Sequence, residues 1–89
     1  MNIICSALYE EQLKEILEEM IKEDYKAAKS FKLYLDTILL NIPTKSKKYK
    51  PSRYFDDQNI KDVDHQGFII PFFEDVEKKV FVILGIVRK

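Results

Sequence analysis

Between Ser6 and Pro43 the chain carries two helical apolar stripes, one directly after the other, and this leaves few ways to fold. In the first stripe Leu13, Ile16, Leu17, Met20 and Ile21 recur at spacings of three and four, which lines one face of a helix. The spacing predicts a helix over residues 7–23 with Ser6 as N-cap and Glu10 and Glu11 near the positive end of its dipole. Glu15, Glu18, Glu19 and Glu23 continue an acidic outer side, tempered by Lys14 and Lys22 at helical spacing. These carboxylates read as a solvated face, not as a catalytic pair. In the second stripe Ala28, Phe31, Leu35, Ile38 and Leu39 predict a helix over residues 25–41, with Asp24 as N-cap and Pro43 as its stop. A link this short requires an antiparallel hairpin, and the Ala27-Ala28 pair lets the helices approach near the turn.

The rest reads as strands. Residues 2–5 form a short apolar strand, and Cys5 beside Ile3 and Ile4 is expected to be buried. Residues 43–56 are expected to be a loop without regular structure, broken by two prolines and pinned by Tyr49, Tyr54 and Phe55. Three antiparallel strands follow, over residues 59–63, 68–73 and 79–87. Asp64-His65-Gln66-Gly67 reads as a polar turn with His65 in solvent. Pro71 removes one ladder donor, and Gly85 allows a bulge or a close backbone approach. The expected class is therefore α+β, in the order β-α-α-β-β-β, with the helical hairpin packed on an antiparallel sheet. The continuous run Val80-Phe81-Val82-Ile83-Leu84 asks for cover on both sheet faces. The hairpin covers one; loop aromatics or a partner must cover the other.

At 89 residues, of which 46% are hydrophobic, the chain supports one modest core, so residues 1–89 are read as a single domain. Cys5 is the only cysteine, which excludes an internal disulfide and a cysteine-rich zinc site. No basic segment precedes an apolar run at the N-terminus, and no apolar stretch approaches the roughly 18 residues of a membrane span. The cytoplasm is the expected compartment, with no membrane partner. Net charge is zero but segregated: residues 1–24 carry −5, residues 25–53 carry +7 and residues 54–89 carry −2.

No metal constellation, Gly-rich phosphate loop or HExxH pattern is present, and neither cofactor nor metal is expected. Acting as a base, His65 would need a second catalytic group that nothing in the sequence supplies. The basic loop carries more weight. Lys45, Lys47, Lys48, Lys50 and Arg53, interleaved with Tyr49 and followed by Tyr54, have the chemistry to hold phosphates and stack a base. Lysine outnumbers arginine there, so the signal is electrostatic and not a bidentate code. Arg53, Lys61 and Arg88 are the candidate functional cations.

The order strand, helix, helix, basic loop, three strands resembles the RelE/ParE superfamily of type II toxins. The resemblance rests on Leu13-Ile16-Leu17 through Ile38, on Pro43, on Ile60-Lys61-Asp62-Val63, on Gly67-Phe68-Ile69-Ile70-Pro71-Phe72-Phe73 and on Val80 to Val87, and it spans the whole chain. It implies an inhibitory protein, of the kind associated with plasmid stabilization, neutralised by a cognate antitoxin. RelE-like members cut mRNA on the ribosome with several bases and often a C-terminal tyrosine or histidine. ParE-like members poison DNA gyrase and have no known hydrolytic site. Lys61 stands where the family usually has an arginine, and Phe72 or Phe73 where it has a tyrosine. No Tyr or His follows Lys79. These departures, with the long paired helices, place the chain nearer the ParE-like branch, with DNA gyrase as expected target; a ribosome-dependent endoribonuclease and a non-toxic binding protein of the same fold are the alternatives.

Overall fold

A computed structural model describes residues 2–89. Strand β1 (Asn2–Cys5) leads into helices α1 (Ala7–Glu23) and α2 (Tyr25–Leu40). The Ser6 hydroxyl accepts the Tyr9 N–H at 3.0 Å and donates to the Leu84 carbonyl at 2.9 Å, so one side chain caps α1 and ties it to the far end of the chain. Asp24 caps α2 by accepting the Ala27 N–H. The two caps stand at the expected positions because capping is a local signal.

The stretch after α2 corrects the expectation of an irregular loop. A four-residue helix α3 (Ile42–Lys45) and a 3-10 turn (Ser46–Lys48) follow directly. Pro43 lies in the first turn of α3, where a missing N–H costs nothing. Ile42 beside it is fully buried, which anchors the turn to the core. Tyr49 packs edge-on to Phe72 with ring centroids 5.7 Å apart.

Strands β2 (Ile60–His65), β3 (Phe68–Asp75), β4 (Val80–Ile83) and β5 (Val87–Arg88) complete a mixed sheet, in place of the antiparallel one expected. Its order is β1-β4-β3-β2, with β5 also on β3. β1 runs parallel to β4, and the other pairs are antiparallel. The hairpin returning β3 to β4 leaves β4's far edge free, and the N-terminal strand takes it from the opposite end of the chain. The strand expected over residues 79–87 is interrupted. Between Phe72↔Ile83 and Ile69↔Val87, β3 contributes Ile70 and Pro71 while the partner contributes Leu84, Gly85 and Ile86. That extra residue is the bulge foreseen at Gly85. Gln12 of α1 reaches into it and accepts the Ile86 N–H at 2.9 Å.

The core lies between the helices and one sheet face. Tyr9, Leu13, Ile16, Phe31, Leu35 and Leu39 meet Val63, Phe68, Ile70, Phe72, Phe81 and Ile83 there. Two expectations fail at this level. Cys5 is exposed, because β1 is an edge strand. Desolvation, with the nearby Glu10 and Asp36 carboxylates, pushes its thiol above the ordinary value, which disfavours the reactive thiolate. His65 is not in solvent: β2 extends to include it, and strand alternation turns it inward against Phe31, with ring centroids 5.1 Å apart.

Tyr9 gives the core a measurable pH dependence. Its side chain is buried and its hydroxyl has no hydrogen-bond partner among the described residues. Burial, reinforced by Cys5 and Asp36, holds its ionisation above the usual phenol range. In the unfolded chain tyrosine ionises near pH 10. Above that pH the unfolded state therefore holds fewer protons than the folded one, and stability falls as pH rises. Urea unfolding from about pH 8 to 11 should show this loss beginning near pH 10, with a shallower slope in Tyr9→Phe. Equal slopes in the two proteins would refute the assignment.

Candidate functional site

The sheet's second face is the one the helices leave uncovered. Strand alternation places Ile4, Val82, Phe73 and Ile60 in one row across four strands of that face, since Ile4 opposes Val82, Val82 opposes Phe73 and Phe73 opposes Ile60. Ile4 is about half exposed, Val82, Phe73 and Ile60 are intermediate in burial, and Ile69 further along the same face is fully buried. Further along, Pro71, Leu84 and Val87 meet Tyr54, Phe55 and Leu8 around an apolar cleft of about 380 Å³. Tyr54 is 50% exposed and Phe55 44%, so the loop aromatics cover part of this face and do not close it.

The candidate cations do not converge. Arg53 and the acids Asp62 and Asp64 form one network. The Arg53 backbone N–H donates to Asp62 Oδ2 at 3.0 Å, its Nε lies 3.4 Å from the same oxygen, and its Nη2 lies 3.6 Å from Asp64. Lys89 reaches Asp64 from the other side at 3.5 Å. Lys61 points to the helix face and donates to the Ser46 carbonyl at 3.0 Å, a structural tie of the 3-10 turn to β2. Arg88 opposes Phe68, lies over its ring at 5.1 Å and pairs with Glu19 of α1 at 3.1 Å. Lys61 and Arg88 thus sit on the helix face four positions apart along β3, while Arg53 pairs with carboxylates of the opposite face. A shared cationic site of these three is not formed.

The basic loop has its own geometry. Lys45 ends α3, and Lys47 and Lys48 lie in the 3-10 turn. Lys50 accepts the Asp62 N–H at its carbonyl, Pro51 bridges to Lys61, and the Ser52 N–H donates to Ile60. Residues 50–52 therefore cap the outer edge of β2, which removes a pairing hazard there. Lys48 Nζ lies 5.6 Å from the Tyr49 ring centre. Beside this segment a cleft of about 620 Å³ is lined by Lys48, Tyr49, Lys50, Arg53, Asp62 and Asp64 over a floor that includes Ile38 and Val63.

Asp62, Asp64, Lys89 and Gln12 did not stand out in the sequence. The alternation Lys61-Asp62-Val63-Asp64 does carry a signal, since it puts both acids on one face of a strand. Gln12 has none, because its role depends on a bulge more than seventy residues away. Among the described residues no group of three or more His, Cys, Asp or Glu side chains is placed to hold a metal ion, and no helix is long and apolar enough to cross a membrane.

The arrangement combines a partly covered apolar face with aromatic edges, while Arg53, Lys61 and Arg88 are held by separate partners. No curated protein sequence matches the chain. The family model described as the ParE toxin of the type II toxin-antitoxin system, parDE, matches residues 3–89. The chain belongs to that family, as the toxin component of a toxin–antitoxin pair with a cognate antitoxin as its partner.

Proposed function

We propose that this toxin acts in the cytoplasm by binding and inhibiting DNA gyrase, and that its antitoxin neutralises it by covering the second face of the sheet. The observation that carries the reading is the incompletely covered row of Ile4, Val82, Phe73 and Ile60, exposed most at Ile4, next to the half-covered Tyr54–Phe55 cleft. An apolar surface of this kind, rimmed by charge, marks a protein contact. An mRNA endoribonuclease would need several cations and an acid–base pair aimed at one phosphodiester. Here Arg53, Lys61 and Arg88 stand against different partners and do not converge on one point.

The test uses purified toxin in gyrase supercoiling and DNA-cleavage assays. Micromolar toxin should suppress supercoiling, and the antitoxin encoded beside it should restore activity when added first. Unchanged supercoiling with folded toxin at that concentration would overturn the gyrase reading.

A further inference from the structure

We propose that the cleft beside β2 binds a guanine mononucleotide, its base edge at Asp62 and its phosphate among Lys48, Lys50 and Arg53. The proposal does not depend on the gyrase reading.

The strongest pointer is Asp62. Its side chain is only 7% exposed, it lines the cleft, and its Oδ1 has no hydrogen-bond partner among the described residues. A buried carboxylate oxygen without a donor is costly. The neighbouring guanidinium does not remove that cost. Arg53 is half exposed, and its Nε and Nη2 stand 3.4 and 3.6 Å from Asp62 and Asp64, too far for good hydrogen bonds. A side chain held this loosely can swing to an arriving phosphate and uncover the carboxylate edge beneath it.

The chemistry of the lining narrows the ligand. Three cations, Lys48, Lys50 and Arg53, stand against two carboxylates, so the cleft favours an anion overall. Lys48 and Lys50 make no ion pair among the described residues and are free to take a phosphate. An anion alone leaves Asp62 unsatisfied; the ligand must also bring donors. Guanine presents two adjacent N–H groups on its pairing edge, which one carboxylate accepts together. Adenine places a ring acceptor there, which a carboxylate repels. Tyr49 and the apolar floor supply contact for a planar ring. A cleft of about 620 Å³ has the size of a small-ligand site.

The experiment titrates the whole protein with 5′-GMP, 5′-AMP and inorganic phosphate, by calorimetry and by amide chemical-shift mapping. GMP should bind at least about tenfold more tightly than AMP, with shifts at residues 48–53 and 62–64. Asp62→Asn should abolish the preference for guanine. Because Asp62 also holds the Arg53 backbone, the double variant Lys48→Ala/Lys50→Ala provides a second test. It should weaken both nucleotides severalfold and leave their ratio unchanged. Equal binding of GMP, AMP and phosphate would reduce the cleft to simple charge attraction and overturn the proposal. So would shifts located elsewhere, or no binding at millimolar GMP. Gyrase supercoiling measured on the same variants is a separate readout, so the two readings can fail independently.

Discussion

Phe72→Ala is expected to destabilise the protein by about 3–5 kcal/mol, while Phe73→Ala, one residue along, costs less than half of that and weakens antitoxin binding instead. Phe72 is fully buried on the helix face of β3, between Tyr49 at 5.7 Å and Phe81 at 6.1 Å. It therefore joins three parts of the molecule: the basic loop, the central strand and the strand that pairs with β1. Truncation removes the ring and leaves a cavity that the sheet and helices are too rigid to fill. A domain of this length has a total stability of only roughly 5–10 kcal/mol, so the variant should lose more than about 12 °C in Tm or fail to fold. Phe73 points the other way. It belongs to the partly covered row with Ile4, Val82 and Ile60, and less of its ring is removed from water in the free protein. Thermal melts and antitoxin titrations of both variants decide the matter. Similar stability losses at the two positions, with antitoxin affinity unchanged in Phe73→Ala, would mean that the second face is a closed core and not a binding surface.

The contrast between neighbouring positions also explains what the sequence made legible. Both long helices and their caps, Ser6 and Asp24, rest on signals within a few residues of each other, and they stand where the periodicity puts them. Strand existence was equally legible, because runs such as Phe68–Phe73 admit little else. What escaped was decided by distant neighbours. Nothing local tells Asn2–Cys5 that its partner is β4 and that the pairing is parallel. The exposure of Cys5 follows from that edge position. His65 sits beside turn residues and reads as polar, yet β2 continues through it, and a period of two carries it inward behind Lys61 and Val63. The same alternation separates Arg88 from Arg53. Cations far apart in sequence could be assigned to one site only by knowing which way each strand faces, and that depends on register. The basic loop was legible as charge but not as an edge cap of β2, because its hydrogen bonds run to a strand ten residues later.

A double-mutant cycle at Gln12 and Gly85 should show that the hydrogen bond from the bulge to Gln12 helps fasten α1 to the sheet. The Ile86 N–H falls in the bulge, where β3 offers it no partner, and Gln12 Oε1 accepts it at 2.9 Å. A Cβ built on Gly85 would stand 2.7 Å from that same oxygen, with no atom outside Gln12 and the adjoining residues within 4 Å. Glycine is therefore required here for the approach of a side chain, not for backbone conformation. Gln12→Ala strips the acceptor from a part-buried donor and should cost about 1–2 kcal/mol. Gly85→Ala alone forces Gln12 out and should cost about 1–3 kcal/mol, the lost bond plus strain. In the Gln12→Ala background the new methyl group meets open space, so the second substitution should be nearly neutral. The coupling energy should reach about 1 kcal/mol or more, measured by urea unfolding of the four proteins. Ser6 still ties the start of α1 to Leu84 at 2.9 Å and Glu19 still pairs with Arg88 at 3.1 Å, so loss of the Gln12 contact frees the helix between those two points. Amide exchange at Ile86 should then speed up in every variant that lacks the bond. Strictly additive energies would show that α1 is held by its apolar stripe alone and that the bulge is incidental to the packing of the hairpin.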